Sequence, residues 1–160
     1  MASTTTAAPI MTSQQFLESW QGHRALTRRA IDAFPEDKLF TYSLGNMRPF
    51  SGFAMEFIGM AVPTLDGILT GKWEQFKSPK VTTKTELLRM WDESTAQINA
   101  LFPKIPAARF QEVDTAFGQW KMPIYDLLLY VRDNEIHHRG QGYVYLRALG
   151  IEPPHFWERG

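Results

Sequence analysis

The chain has 160 residues, no cysteine and a formal net charge of zero, with 17 Lys and Arg against 17 Asp and Glu. That length suits one domain with a sizeable core, the balanced charge offers no nucleic-acid footprint, and the missing thiols exclude disulfides, thiolate metal sites and a cysteine nucleophile. No apolar run is expected to span a membrane and the N-terminus lacks signal-peptide character, so the expected location is cytoplasmic, with neither nucleic acid nor membrane as a partner.

Residues 1–11 open on the unpatterned MASTTTAAPI, which predicts a disordered tail and leaves 12–160 as a single helical domain. Thr12 or Ser13 is suited to cap a first helix, in which Phe16, Leu17, Trp20, Leu26, Ala30, Ile31 and Phe34 recur at helical spacing until Pro35 ends it. His23, between Gly22 and Arg24, is expected on the exposed side. Residues 36–47 read as a connector with Gly45 and Asn46 in a turn. A second helix is expected from Arg48, with Pro49 in its first turn. Phe50, Phe53, Ala54, Phe57, Ile58, Ala61, Leu65 and Ile68 form its apolar face. Glu56 lies beside that face, Pro63 is expected to kink the helix, and Gly71 to close it.

Residues 72–81 read as a surface loop. Thr82 or Thr83 caps a third helix through Phe102, with Leu87, Leu88, Trp91, Ala96, Ile98 and Leu101 as its buried side and Pro103 and Pro106 forbidding continuation. Residues 107–121 make a long connection, from which Phe110, Val113, Phe117 and Trp120 are expected to lie over one end of the core. The final IEPPHFWERG carries two prolines that exclude helix, and its His155 either covers the open end of the bundle or, as is usual for a tail histidine, has no role.

The last helix is expected from Pro123 to Gly150, with proline at its first position and glycine at its cap. Ile124, Leu128, Val131, Glu135, His138, Gly142, Tyr145 and Leu149 alternate at spacings of four and three, the seam of a bundle helix. Asn134, Glu135 and His138 interrupt that seam with polar groups, which burial would penalise unless they are bonded, paired or bound to metal. Four amphipathic helices predict an all-α, up-and-down-type four-helix bundle, a topology that can set the second helix against the last. Asn134 and His138 are spaced i, i+4 and project together, His137 stands at their edge, and a facing helix can add Glu56. An oxygen and imidazole set of that kind suits zinc, nickel, iron(II) or manganese; the plainer alternative is a satisfied structural group. Gly140 and Gly142 each weaken the helix, and close packing of another backbone or subunit would account for them.

The run NEIHHRGQGYVYLRALGIEPP resembles the signature of the DinB/YfiT-like superfamily, whose last helix carries H-x-x-H-H-R-G-Q, then Y-L-R, a glycine and a Pro-Pro tail. The RPF at residues 48–50 is similar to that family's Arg-Ser/Thr-Phe helix start, and the resemblance extends from about Met11 onwards. It implies a four-helix bundle, usually dimeric, in which three histidines hold a divalent metal. The positions that match those ligands are Glu56, Asn134 and His138, so this chain keeps one histidine of the three, with His137 as a possible helper. In acting relatives the metal is thought to activate a thiol or a water. Two expectations follow: a metal-dependent hydrolase or thiol S-transferase acting on a small-molecule substrate, with no catalytic residue assignable, or a non-catalytic small-molecule-binding or structural bundle with a vestigial metal site. A symmetric homodimer is expected in either case.

Overall fold

Thr12 nucleates the first helix through a reciprocal cap: its hydroxyl accepts from the Gln15 N–H at 3.1 Å while the Gln15 side chain accepts from the Thr12 N–H at 2.9 Å. The computed structural model describes residues 8–160, so most of the expected tail lies outside the described residues; Ala8 to Met11 are exposed. Helix α1, Ser13–Ala33, ends where Phe34 turns extended ahead of Pro35. The expected connector instead holds a short helix, α2, Glu36–Thr41. Glu36 and Asp37 favour it by placing negative charge at its N-terminus, and Leu39 anchors it in the core.

Helix α3, Phe50–Thr70, starts two residues later than the sequence predicts, because Pro49 is its cap and holds Arg48 outside the helical region. It runs on through Pro63 to Gly71, which caps it at φ +70°. Contrary to the sequence reading, α3 is long and apolar enough to cross a membrane. A core helix needs the same composition, and α3 packs against two others along its length. Helix α4, Lys84–Leu101, is capped by Thr83, whose hydroxyl accepts from the Glu86 N–H, and passes into a 3-10 turn at Phe102–Lys104 around Pro103. Ala96, expected inside, is exposed; the helix turns Ser94 inward instead.

Residues 107–121 are not simply a connection. After a 3-10 turn at Ala107–Gln111 they form a hairpin of β1, Val113–Ala116, and β2, Trp120–Pro123, with Val113 opposite Pro123 and Ala116 opposite Trp120. Val113 and Trp120 are exposed, so of the expected covering residues only Phe110 and Phe117 pack on the core. Pro123 caps α5, Ile124–Ala148, rather than opening it, and Gly150 follows at φ +76°.

Helix α1 packs on α4 and α5, and α3 packs on the same two, so α1 and α3 face each other across a helical bundle. Two apolar clusters fill it. One gathers Leu26, Phe34, Phe50, Phe57, Trp91 and Tyr145; the other gathers Trp20, Leu65, Ile68, Ile98, Phe102 and Leu128. Gly142 lets α5 meet α3 within the first of them, since a Cβ there would stand 2.3 Å from the Phe50 ring. A side chain, not another backbone or subunit, explains that glycine, whereas Gly140 faces open space. On α1, α4 and α5 buried polar groups lie between the two clusters: His23 and Arg24, Ser94, and Glu135 and Arg139.

Candidate functional site

On α5, Asn134 and His138 lie one turn apart on the side that meets α3, and Glu56 lies opposite them. The Asn134 amide donates to Glu56 Oε1 at 3.0 Å and touches Met60 Sδ at 3.5 Å. A carboxylate can only accept, so the amide must turn its NH2 toward Glu56 and its oxygen away. His138 Nε2 stands 3.9 Å from Glu56 Oε1, beyond hydrogen-bonding range. Its Nδ1 is 2.7 Å from Gln141 Oε1, and its ring stacks on Phe53 at 4.4 Å, so the imidazole is fixed from the side as well as the edge. His137 is exposed, with its ring against His138 and its Nε2 beside the Gln141 amide. The structure therefore brings Glu56, Asn134 and His138 together and leaves His137 at the rim.

A fourth residue completes the group. Arg48, just outside α3, lays its stem over Gly52, where a Cβ would be 3.3 Å from Arg48 Cδ. Its guanidinium then crosses the Phe53 ring at 4.6 Å and forms an ion pair with Glu56 Oε2. The carboxylate thus already has a cation on one oxygen and an amide N–H on the other.

That arrangement does not fit a resident divalent metal. One ligand position offers an N–H instead of a lone pair, and the sole carboxylate is neutralised by Arg48. Among the described residues no three His, Cys, Asp or Glu side chains converge as ligands. What remains is one imidazole nitrogen, short of the three protein ligands a catalytic zinc or similar ion takes.

Beside Glu56 opens a cavity of about 380 Å³. Its floor is Met60, Leu127 and Val131, from α3 and α5; the 72–81 loop and the hairpin roof it with Phe76, Phe117 and Trp120, and Tyr130 stands at the side. Glu56 is its charged wall, and Arg48, Asn134 and His138 lie behind that wall rather than in it.

The third polar residue of the seam, Glu135, belongs elsewhere. It points at α1 and is fully buried, where the Thr27 hydroxyl donates to its Oε1 at 2.5 Å and Arg24 and Arg139 approach at 3.7 and 3.9 Å. Arg24 also donates to Thr95 at 2.8 Å and lies flat on Trp91 at 3.9 Å. Burial pushes the Glu135 carboxyl up, against the pull of Arg24, Thr27 and Arg139, and lowers Arg24 to about 10, still charged at neutral pH. His23, expected outside, is buried: Arg139 donates to its Nδ1 at 3.1 Å and Arg159 of the tail meets its Nε2 at 3.3 Å. Burial, then Arg139 and Arg159, depress its pKa to about 4. A readable signal for this network exists. Leu17, Trp20, Arg24, Thr27 and Ile31 alternate at spacings of three and four, so Arg24 and Thr27 occupy the buried seam of α1.

The model of the DinB family matches residues 1–159 of this sequence. Among solved structures, a DinB-like protein of Bacillus subtilis (YjoA) is similar with a TM-score of 0.73 and 20% identity, over 91% of this chain and 99% of that one. A DinB-like protein of Bacillus cereus gives 0.71 and 22%, over 89% and 95%. No curated protein matches. At such identities the likeness carries the fold alone.

Proposed function

The chain belongs to the DinB family, and we propose that within it this bundle is a metal-independent small-molecule-binding protein whose metal site is vestigial. One observation carries the reading: Arg48 and Asn134 already neutralise and hydrogen-bond Glu56, and a largely apolar cavity opens directly on that carboxylate. A cavity of this size, apolar apart from a few polar groups, is the usual form of a small-ligand site. The same reading takes the four long helices as an up-and-down-type four-helix bundle, supported by the packing of α1 and α3 against both α4 and α5. A metal-dependent hydrolase or thiol S-transferase would instead require Arg48 to leave Glu56 and Asn134 to turn its oxygen inward.

Elemental analysis of protein purified without an affinity tag, paired with thermal-shift screening, tests the choice. Stabilisation by organic compounds and no stoichiometric metal is expected. A stoichiometric zinc, nickel, iron or manganese ion, removed by chelation together with a fall in melting temperature, would overturn the reading and restore the metalloenzyme.

A further inference from the structure

Resting on the small-molecule reading, we propose that the cavity beside Glu56 takes an organic ammonium ion, its charged head on the Glu56 carboxylate and its apolar body against Phe76, Phe117 and Trp120.

The charge of the wall comes first. Glu56 lines the cavity, whereas no lysine, arginine or histidine does. Its guanidinium and amide partners lie outside the lining and take one acceptor site on each oxygen, so the carboxylate, with about four such sites, can still accept from a ligand and is the formal charge nearest the cavity. A neutral hydrocarbon would cover that carboxylate and strip its water without replacing the hydrogen bonds, and an anion would bring a like charge and no donor. A cation carrying N–H groups, or one with a diffuse charge, satisfies it.

The aromatic roof makes the same choice independently. Phe117 is its hub, with ring centroids 4.1 Å from Phe76, 5.2 Å from Trp73 and 6.0 Å from Trp120. Aromatic faces attract cations through their quadrupole, and clusters of such rings are how substituted ammonium groups are recognised.

The backbone adds a third observation. Phe117 is the one non-glycine residue at positive φ among those described, at +53°, beside Gly118 at +69°. Asparagine, aspartate or glycine would fill the first position without strain, whereas a bulky side chain there is an outlier. Strain of this kind persists at ligand sites when the side chain it places is used. Here it swings the Phe117 ring from the hairpin tip to the cavity roof. Asparagine at 117 would ease the turn and remove the ring.

A charge series on one skeleton tests the assignment on the full chain: 4-phenylbutylamine, 4-phenylbutan-1-ol and 4-phenylbutyrate, titrated calorimetrically. The amine is expected to bind at least about tenfold more tightly than the alcohol, and the carboxylate more weakly than either. Glu56→Gln should reduce the preference for the amine while alcohol binding survives. Trp120→Ala, at a half-exposed position, should weaken both, the amine more than the alcohol. Alcohol binding as tight as amine binding, no amine binding up to about 1 mM, or an amine preference undiminished by Glu56→Gln overturns the ammonium assignment and leaves the small-molecule reading standing. If none of the three binds up to about 1 mM and thermal-shift screening also finds no organic ligand, the reading itself falls.

Discussion

Replacing Glu135 with glutamine probes the centre of the bundle. The carboxylate sits with its side chain 2% exposed between Arg24, 1% exposed, and Arg139, 6% exposed, at 3.7 and 3.9 Å. Glutamine keeps the volume and can still accept from the Thr27 hydroxyl, so the change opens no cavity. What it removes is the negative charge between two buried guanidinium groups. Breaking a buried pair from one side costs about 3–5 kcal/mol, because the charge left behind is uncompensated. In a chain of this length each kcal/mol moves the melting temperature by about 2–4 °C, giving a fall of about 6–20 °C. Urea unfolding should show the midpoint shifted with its slope unchanged. Adding Arg24→Met relieves the repulsion, so Glu135→Gln with Arg24→Met should be more stable than Glu135→Gln alone. A single variant within about 1 kcal/mol of the parent, or a double variant no better than the single, would refute a charge-paired core.

His23 predicts the acid side of the stability profile. Its pKa of about 4 in the fold lies below the ordinary 6.5, so the unfolded chain takes up the proton first. Stability should be complete above pH 6.5 and fall as pH drops toward 4, by about 2–3 kcal/mol from this residue; His23→Phe should flatten that window in urea titrations at stepped pH. On α5, Gly142→Ala should destabilise by about 1–3 kcal/mol, because the new Cβ meets the immobile Phe50 ring at 2.3 Å. Gly140→Ala, in open space, should stabilise by about 0.5–1 kcal/mol in the same assay; equal effects at the two sites would refute the packing account. The double change Glu56→His with Asn134→His should place three imidazoles around one point and raise zinc and nickel affinity by orders of magnitude, which calorimetry would detect. Arg48 loses its partner there at little cost, being nearly half exposed. Light scattering should find twice the monomer mass at micromolar concentration, the homodimer expected from the sequence; a monomer throughout would exclude it.

The long helices were legible in the sequence because their determinants are local. A capping threonine, an apolar stripe at helical period and a terminating proline or glycine act within a few residues, and Thr12, Thr83 and Gly71 act as expected. The positions of Glu56, Asn134 and His138 on two helices were legible for the same reason. Short elements were not: α2 and the hairpin are held by Leu39 and by cross-strand pairing, which local propensity does not encode. The partners of each polar group were also beyond the sequence. Arg24 and Glu135 are separated by more than a hundred residues, and only the packing of α1 on α5 makes one the counter-charge of the other. The same packing sends Glu135 toward α1 while its neighbour Asn134, about 100° further round the helix, meets α3. Arg48 reaches Glu56 because Pro49 turns the chain ahead of α3 and Gly52 leaves room for the stem, so tertiary geometry, not residue type, turned a possible ligand into a neutralised carboxylate.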